Sequence, residues 1–374
     1  MKMPRDSSMQ PPPSQISPHE QVTFQIQDIA FGGRGIGRVH QMACFTKGVI
    51  DGEIVNARVV RKKPRFLEAE LLEIKQKSSH RVEAPCPYFL KCGGCSYQHI
   101  DYSHQLTIKE KQLKGALERI GGIKDPLVRT MLPSPEPFEY RNRITVHVRN
   151  GALGFFVEKS CEVIPIDSCR IASQEVNSAL KKLKSQRPKD GDYLLGEREH
   201  YGGFRQVNNS MAALMLEAVQ EFAIKDHGIL LVDAYCGAGF FTHALAPFFS
   251  KVIGIEWSKN SVALARRKAN LHEVFEEGSV EEILPKKLLE ASSAETTLIL
   301  DPPSEGISEL VVMAIVNAPP QKIIYVSCNP ATLARDIKRL STHYRLQESM
   351  PLDMFPQTAE IESINILTLH GANH

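Results

Sequence analysis

The sequence predicts an α/β chain. A doubly wound, mostly parallel sheet is expected over residues 201–374, a small β-barrel over 21–77, and a cysteine-bearing middle domain over 78–200 between them. Two observations carry this. Beyond residue 200, apolar strand-like runs alternate with helix-forming runs, the order of a parallel sheet covered by helices. Between Val22 and Ile74, short stretches rich in Val, Ile and Phe alternate with period two and are cut by glycines, the order of a small antiparallel barrel.

Residues 1–20, rich in Pro, Ser and Gln, have too little apolar surface to offset the entropy of ordering and are expected to form a disordered tail. The barrel follows, with VTFQIQDI, FGGRGIGRV, FTKGVIDGEIVNARVV and FLEAELLEI as its strands and turns, and an oligonucleotide-binding barrel is the natural candidate. Its charge supports that choice. The whole chain is only +2, but residues 1–81 hold thirteen Lys and Arg against eight Asp and Glu. The excess sits in Arg58, Arg61, Lys62, Lys63 and Arg65, then Lys75, Lys77 and Arg81. Such a run suits a polyanion once other features point to nucleic acid, although a solvated face alone would look the same.

No apolar run approaches the roughly 20 residues that a membrane-spanning helix requires, and the N-terminus lacks a secretion pattern, so a cytoplasmic protein without a membrane partner is expected. In that setting eight cysteines point to metal binding or catalysis rather than to disulfides. Cys86, Cys92 and Cys95 lie within ten residues among prolines and glycines, with Cys161 or Cys169 available as a fourth thiolate; this spacing fits zinc and an iron-sulfur cluster alike. A helix is expected at 108–120, then two strands around a turn at Asn150 and Gly151.

In the last domain the strand candidates end at Ala234, Glu256, Asp301 and Ser327, and Ser258 is placed to cap the helix that follows Glu256. The first strand runs into Asp233-Ala-Tyr-Cys-Gly-Ala-Gly239, where Gly237 and Gly239 let the backbone turn tightly beside a ligand. Glu256, ending the next strand, is positioned for a ribose diol. The full dinucleotide fingerprint is absent, because Phe240, Phe241 and Thr242 follow, and the spacing fits an S-adenosylmethionine (SAM) site better. Asp301-Pro-Pro-Ser304 forms a stiff loop suited to bracketing a flipped-out base. Cys328, at the end of the fourth strand, lies in the same row. A thiol has a purpose there: uracil C5 is too weak a nucleophile to take a methyl from a sulfonium, and thiolate addition at C6 makes C5 carbanion-like. A base must then remove the C5 proton, for which Glu362 and its neighbour Glu360 are the candidates.

With these motifs in view, the chain resembles the SAM-dependent RNA 5-methyluridine methyltransferases, in the branch that carries an N-terminal TRAM barrel and a 4Fe-4S cluster and acts on 23S ribosomal RNA. The resemblance covers nearly everything after residue 20 and is carried by FGGRGIGR, the cysteine cluster, FRQVN, VDAYCGAGFF, YVSCNPATLARD and DMFPQTAEIES. It implies a class I, Rossmann-like SAM methyltransferase domain. It also implies that Cys86, Cys92, Cys95 and Cys169 hold the cluster, that Gln206, Tyr235, Glu256 and Asp301 contact SAM, that Cys328 is the nucleophile and that Glu362 is the base. Ribosomal RNA as partner and a monomeric enzyme are expected on the same ground. Three positions depart from the family pattern: Ser304 where Arg is usual, Phe240 where Asn is common, and Ser279 where an acid is expected near the adenine. Ser304 argues against a 5-methylcytidine enzyme, which would carry a cysteine there. A tRNA enzyme and a catalytically lost RNA-binding iron-sulfur protein are the competing readings, the latter opposed by retention of Cys328 and Glu362.

Overall fold

The structure, a computed structural model, describes residues 17, 19–196, 206–225, 228–291 and 293–371. Most of the expected tail, and Phe204 and Arg205 of the FRQVN motif, lie outside them. The chain forms two compact units. The first runs through Gln105 and takes in Val157–Lys159 and Gln357–Ala359; the second holds Leu106–Phe156, Ser160–Pro356 and the residues from Glu360 on.

In the first unit, β1 (Gln21–Ala30), β2 (Arg34–Val39), β3 (Met42–Thr46), β4 (Ile54–Lys62) and β5 (Phe66–Gln76) close a barrel in the order β1-β2-β3-β5-β4. Val22, Phe24 and Ile26 alternate into its core, and a register shift between Ile26 and Asp28 then turns Ile29 inward. The strand glycines of the FGGRGIGR motif are steric necessities: a Cβ on Gly37 would stand 2.2 Å from the Gln25 carbonyl oxygen. Closure differs from the expected all-antiparallel arrangement, because β3 and β5 pair in parallel. Period-two alternation determines which face is buried, not which strand is the neighbour. Residues 78–200, expected as one middle domain, are shared between the units. The stretch up to Gln105 is tied to the barrel by buried Glu53, which accepts from Arg81 Nε at 2.6 Å and Nη2 at 2.8 Å. Burial alone would raise the Glu53 carboxyl, but these bonds and the Ile50 and Ser78 amides hold it below its ordinary value.

Helix α1 (Tyr102–Arg119) leads into the second unit, whose smaller sheet contains β6 (Arg143–Arg149), β7 (Ala152–Phe156), β8 (Val163–Pro165) and β9 (Gly191–Gly196), all antiparallel. The predicted turn joins β6 and β7, with Asn150 and Gly151 at φ 51° and 77°. The larger sheet has seven strands: β10 (Leu230–Ala234), β11 (Lys251–Glu256), β12 (Glu273–Glu277), β13 (Thr296–Leu300), β14 (Lys322–Ser327), β15 (Tyr344–Leu352) and β16 (Glu362–Leu369). Their order is β12-β11-β10-β13-β14-β16-β15; the first five run parallel, and β16 is antiparallel to both of its neighbours. Two apolar layers cover it. Leu298, Leu300, Ile323 and Tyr325 belong to one, and Leu231, Ile299, Ile324 and Val326 to the other, as alternation along buried strands requires. Strand order reverses between β11 and β13 on either side of β10, so the ligand crevice lies at the carboxyl ends there.

Candidate active site

The carboxyl ends of β10, β11, β13 and β14 deliver the expected residues to one edge of the sheet. Tyr235 follows β10 in the left-handed conformation, φ 68°, and opens the glycine loop, where Gly237 and Gly239 have φ 56° and 85°. A Cβ on Gly237 would meet nothing within 4 Å, so the loop faces open space there. Glu256, buried at the end of β11, accepts from the Gly237 amide at 3.1 Å through one oxygen and from the Ser258 amide at 2.7 Å through the other. These bonds fix its orientation and leave each oxygen further acceptor capacity. Ser258 caps α5 (Lys259–Arg266) as expected, accepting from Ser261 N at 3.4 Å. Gln206 lies two residues before Asn208, which caps α3 (Asn209–Ile224), and its carbonyl accepts from Asn142 Nδ2 at 2.9 Å.

Asp301 directly follows β13, with its amide 3.4 Å from the Ala234 carbonyl. Burial, then the charge of Asp233, pushes its carboxyl up to about 7. Asp233 was not singled out from the sequence. It is fully buried, accepts from Thr242 Oγ1 at 2.5 Å, and is also pushed up to about 7, by burial against the opposing Thr242 bonds and with Glu256 adding to the rise. Its position in front of the glycine loop was visible, but nothing in the composition marks a buried carboxylate.

Cys328 is half-buried just past β14. Asn329 caps α8 (Pro330–Leu340), accepting from Ala331 N at 3.0 Å, while its own Nδ2 donates to the Ser304 carbonyl at 3.2 Å. Thr332 Oγ1 donates to the same carbonyl at 3.0 Å, so the Asp-Pro-Pro-Ser loop is fastened through its backbone to the start of α8, next to Cys328. The Ser304 side chain itself is exposed. On the other side, β14 and β16 pair antiparallel up to Ser327 opposite Ser363, so Cys328 follows the last residue of one strand and Glu362 opens the other, near enough for its charge to act on the thiol. Glu362 is buried and Glu360 exposed. Burial, then Asp301 and Glu360, raises the Glu362 carboxyl well above the ordinary range. Burial, then Glu362 and Asp301, pushes the Cys328 thiol up to about 12. The edge therefore sets a thiol beside a carboxyl, both raised above their ordinary values, a pairing suited to proton transfer. Of the three departures, Phe240 begins α4 (Phe240–Leu245) after the glycine loop, and Ser279 precedes α6 (Val280–Leu289) without donating or accepting a side-chain capping bond.

Cys86, Cys92 and Cys95 belong to the first unit and Cys169 to the second. Cys92 and Cys95 line a cavity of about 200 Å³ together with Gly32, Gly33, Lys47 and Glu158. Among the described residues, no three His, Cys, Asp or Glu side chains converge as a metal site, so no step of the chemistry is assigned to a metal.

A doubly wound sheet with a glycine loop after one strand and a buried glutamate at the end of the next has the architecture of a class I methyltransferase. The family model described as tRNA (uracil-5-)-methyltransferase matches residues 191–276 and 286–369, and the TRAM domain model matches 20–72. An uncharacterized RNA methyltransferase of Protochlamydia amoebophila is 30% identical, over 92% of this chain and 97% of its own length. Another, from Halalkalibacterium halodurans, is 29% identical over 95% and 98%. The fold is shared with the tRNA (uracil-54, C5)-methyltransferase of Pyrococcus abyssi, solved with S-adenosyl-L-homocysteine: TM-score 0.71 at 23% identity, over 93% of this chain and all of that one. The chain belongs to the SAM-dependent RNA uracil-5 methyltransferase family and carries its TRAM domain. No helix among the described residues is long and apolar enough to cross a membrane.

Proposed function

We propose that the chain methylates C5 of a uridine in 23S ribosomal RNA through a covalent adduct with Cys328. The observation that carries this is the β14–β16 register, which sets Cys328 and Glu362 on neighbouring strand ends beside Asp301. Cys328 releases its thiol proton to solvent and the thiolate Sγ bonds to C6, sending the C5–C6 π pair to C5 and the uracil carbonyl. SAM supplies the electrophilic methyl, which C5 takes. Glu362, in its ionised form, then accepts the C5 proton, the double bond re-forms as the Sγ–C6 bond breaks, and the departing thiolate takes that proton back from Glu362. Gly237, Gly239 and Glu256 would hold the adenosyl portion, with Gln206, Tyr235 and Asp301 completing the pocket. The expected result for Cys328→Ser is complete loss of methyl transfer to RNA; undiminished transfer overturns the mechanism.

The exposed basic residues Arg58, Arg61, Lys62 and Arg65 on the barrel support RNA binding there. The family model's name and the Pyrococcus enzyme favour a second reading, a tRNA substrate. Mapping 5-methyluridine in ribosomal and transfer RNA from cells lacking the protein decides between them. For Cys86, Cys92, Cys95 and Cys169 we propose a 4Fe-4S cluster on their sequence pattern, Cys92 and Cys95 alone of the four lining the cavity described above. Iron and acid-labile sulfide in an anaerobic preparation are expected; zinc without iron refutes it. A cytoplasmic monomer completes the proposal, and light scattering at micromolar concentration tests the monomer.

A further inference from the structure

The segment that leads into Glu362 is held in an unusual way. Three consecutive carbonyls of the second unit are each taken by a side chain from a distant part of the sequence: Met354 O by Asn208 Nδ2 at 3.4 Å, Phe355 O by Lys109 Nζ at 3.0 Å, and Pro356 O by Tyr140 Oη at 3.1 Å. Lys109 Nζ also donates to Asp353 Oδ1 at 2.6 Å, and both side chains of that ion pair are fully buried. Within the first unit, the next residue, Gln357, accepts through its carbonyl from Ser96 N and Tyr97 N, both at 3.0 Å. Its side chain accepts from Gln105 Nε2 at 3.0 Å, one helical turn before Lys109 on α1. Gln357 itself is in the left-handed conformation, φ 68°, a choice a non-glycine residue makes only when its surroundings impose it.

A buried ion pair is a poor source of stability, because desolvation offsets the attraction between its members. Asp353 is also incompletely satisfied: Oδ2 has no hydrogen-bond partner among the described residues. Packing alone would be served as well by two apolar side chains. What an apolar pair could not do is grip the Phe355 carbonyl and thereby set the path of the chain toward the base.

We propose that Lys109 is a positioning residue for the proton-removal step, acting through Asp353 and Phe355 on the segment that presents Glu362. The proposal rests on the covalent mechanism given above. Lys109 touches no reacting atom, so its loss should spare thiol addition and methyl transfer and delay release of the enzyme from the methylated adduct.

The test is single-turnover reaction of the full-length enzyme with SAM and RNA, with protein–RNA adduct followed on denaturing gels. Lys109→Met alone leaves Asp353 buried and unpaired and risks unfolding, so the variant to use is the apolar pair Lys109→Met with Asp353→Leu. We expect adduct to form at near the parent rate and to resolve about tenfold more slowly or worse, with adduct accumulating. Tyr140→Phe, which removes one bond and little volume, should slow resolution in the same direction by about threefold. Parent-rate resolution in the double variant, or equal slowing of formation and resolution, overturns the proposal. Glu362→Gln is run beside them: fast turnover of that variant without trapped adduct rejects Glu362 as the base, and with it the reading on which this proposal rests, whatever the Lys109 variants do.

Discussion

At the scale of single residues, the active edge is a set of acids kept short of full ionisation by burial and by one another. Cys328, pushed up to about 12 by burial and by the Glu362 and Asp301 carboxyls, is a thiol at neutral pH in the absence of substrate. Its alkylation by iodoacetamide, followed by peptide mapping, should therefore rise about tenfold per pH unit between pH 7.5 and 9.5; a rate that levels off below pH 9 contradicts this environment. Asp233 and Asp301 bear on stability. Both stand near 7 in the folded chain against an ordinary 3.8, so the folded state retains protons that the unfolded chain has released. Stability from this source is present below the ordinary value and is lost as pH rises toward 7. Asp233→Asn cannot ionise. Between pH 4.5 and pH 8 its melting temperature should accordingly gain on the parent's by roughly 5–12 °C, since the parent loses about 3 kcal/mol over this window and about 1 kcal/mol moves a domain of this size by roughly 2–4 °C. A gap that stays constant with pH would show that Asp233 is already charged in the folded state.

At the scale of elements, α8 ties the loop that follows β13 to β14. Asp336, fully buried on α8, accepts from Tyr325 Oη of β14 and from Ile307 N, both at 2.9 Å, and Arg335 Nη2 reaches the Glu305 carbonyl at 2.6 Å. Gly306, with φ 76°, is required there, since a Cβ would stand 2.2 Å from Asp336 Oδ2. Tyr325→Phe, which leaves the carboxylate its other donors, should cost about 1.5–3 kcal/mol in urea unfolding. Asp336→Ala, which strands the donors around it, should cost about 3–5 kcal/mol; a loss below 1 kcal/mol for the alanine variant would remove the network from the stability account. How far such arrangements are legible in sequence depends on their range. The ends of β10, β11, β13 and β14 were placed to within a residue, because buried parallel strands are short apolar runs bounded by turn residues. The edge strand β12, reading EVFEE, was missed because its polar residues mask it, and β15 because YRLQESMPL lacks a clean period. The helix placed at 108–120 begins at Tyr102, because HQLTIKE carries no strong helix signal at its start. Cys328 and Glu362 were legible as chemistry at strand ends. Asp233, Asp336 and Lys109 were not, since each is an ordinary charged residue until burial gives it a partner distant in the chain.

For the whole molecule, charge and chemistry are segregated. Exposed basic side chains stand on β4 of the barrel and the turn after it, whereas the carboxyl ends of the large sheet and the start of β16 carry Asp233, Glu256, Asp301 and Glu362. Buried carboxyls kept short of full ionisation offer a phosphate backbone no attractive charge, so affinity for RNA must come from elsewhere on the chain. The barrel can supply it: Arg58, Arg61 and Arg65 are exposed on β4 and the turn that follows it. This division of labour predicts a particular kinetic signature. Replacing the three arginines by glutamine should raise KM for RNA by about tenfold or more at 0.15 M salt, lower the slope of log affinity against log salt by about 2–3, and leave kcat within about twofold of the parent. Steady-state rates over a salt series, with filter binding of the same RNA, provide all three quantities. If kcat falls with KM unchanged, the barrel is acting on the chemical step rather than on capture, and the segregation of roles is wrong. If the salt slope is unmoved, these arginines do not meet phosphate, and the RNA path must follow another face of the chain.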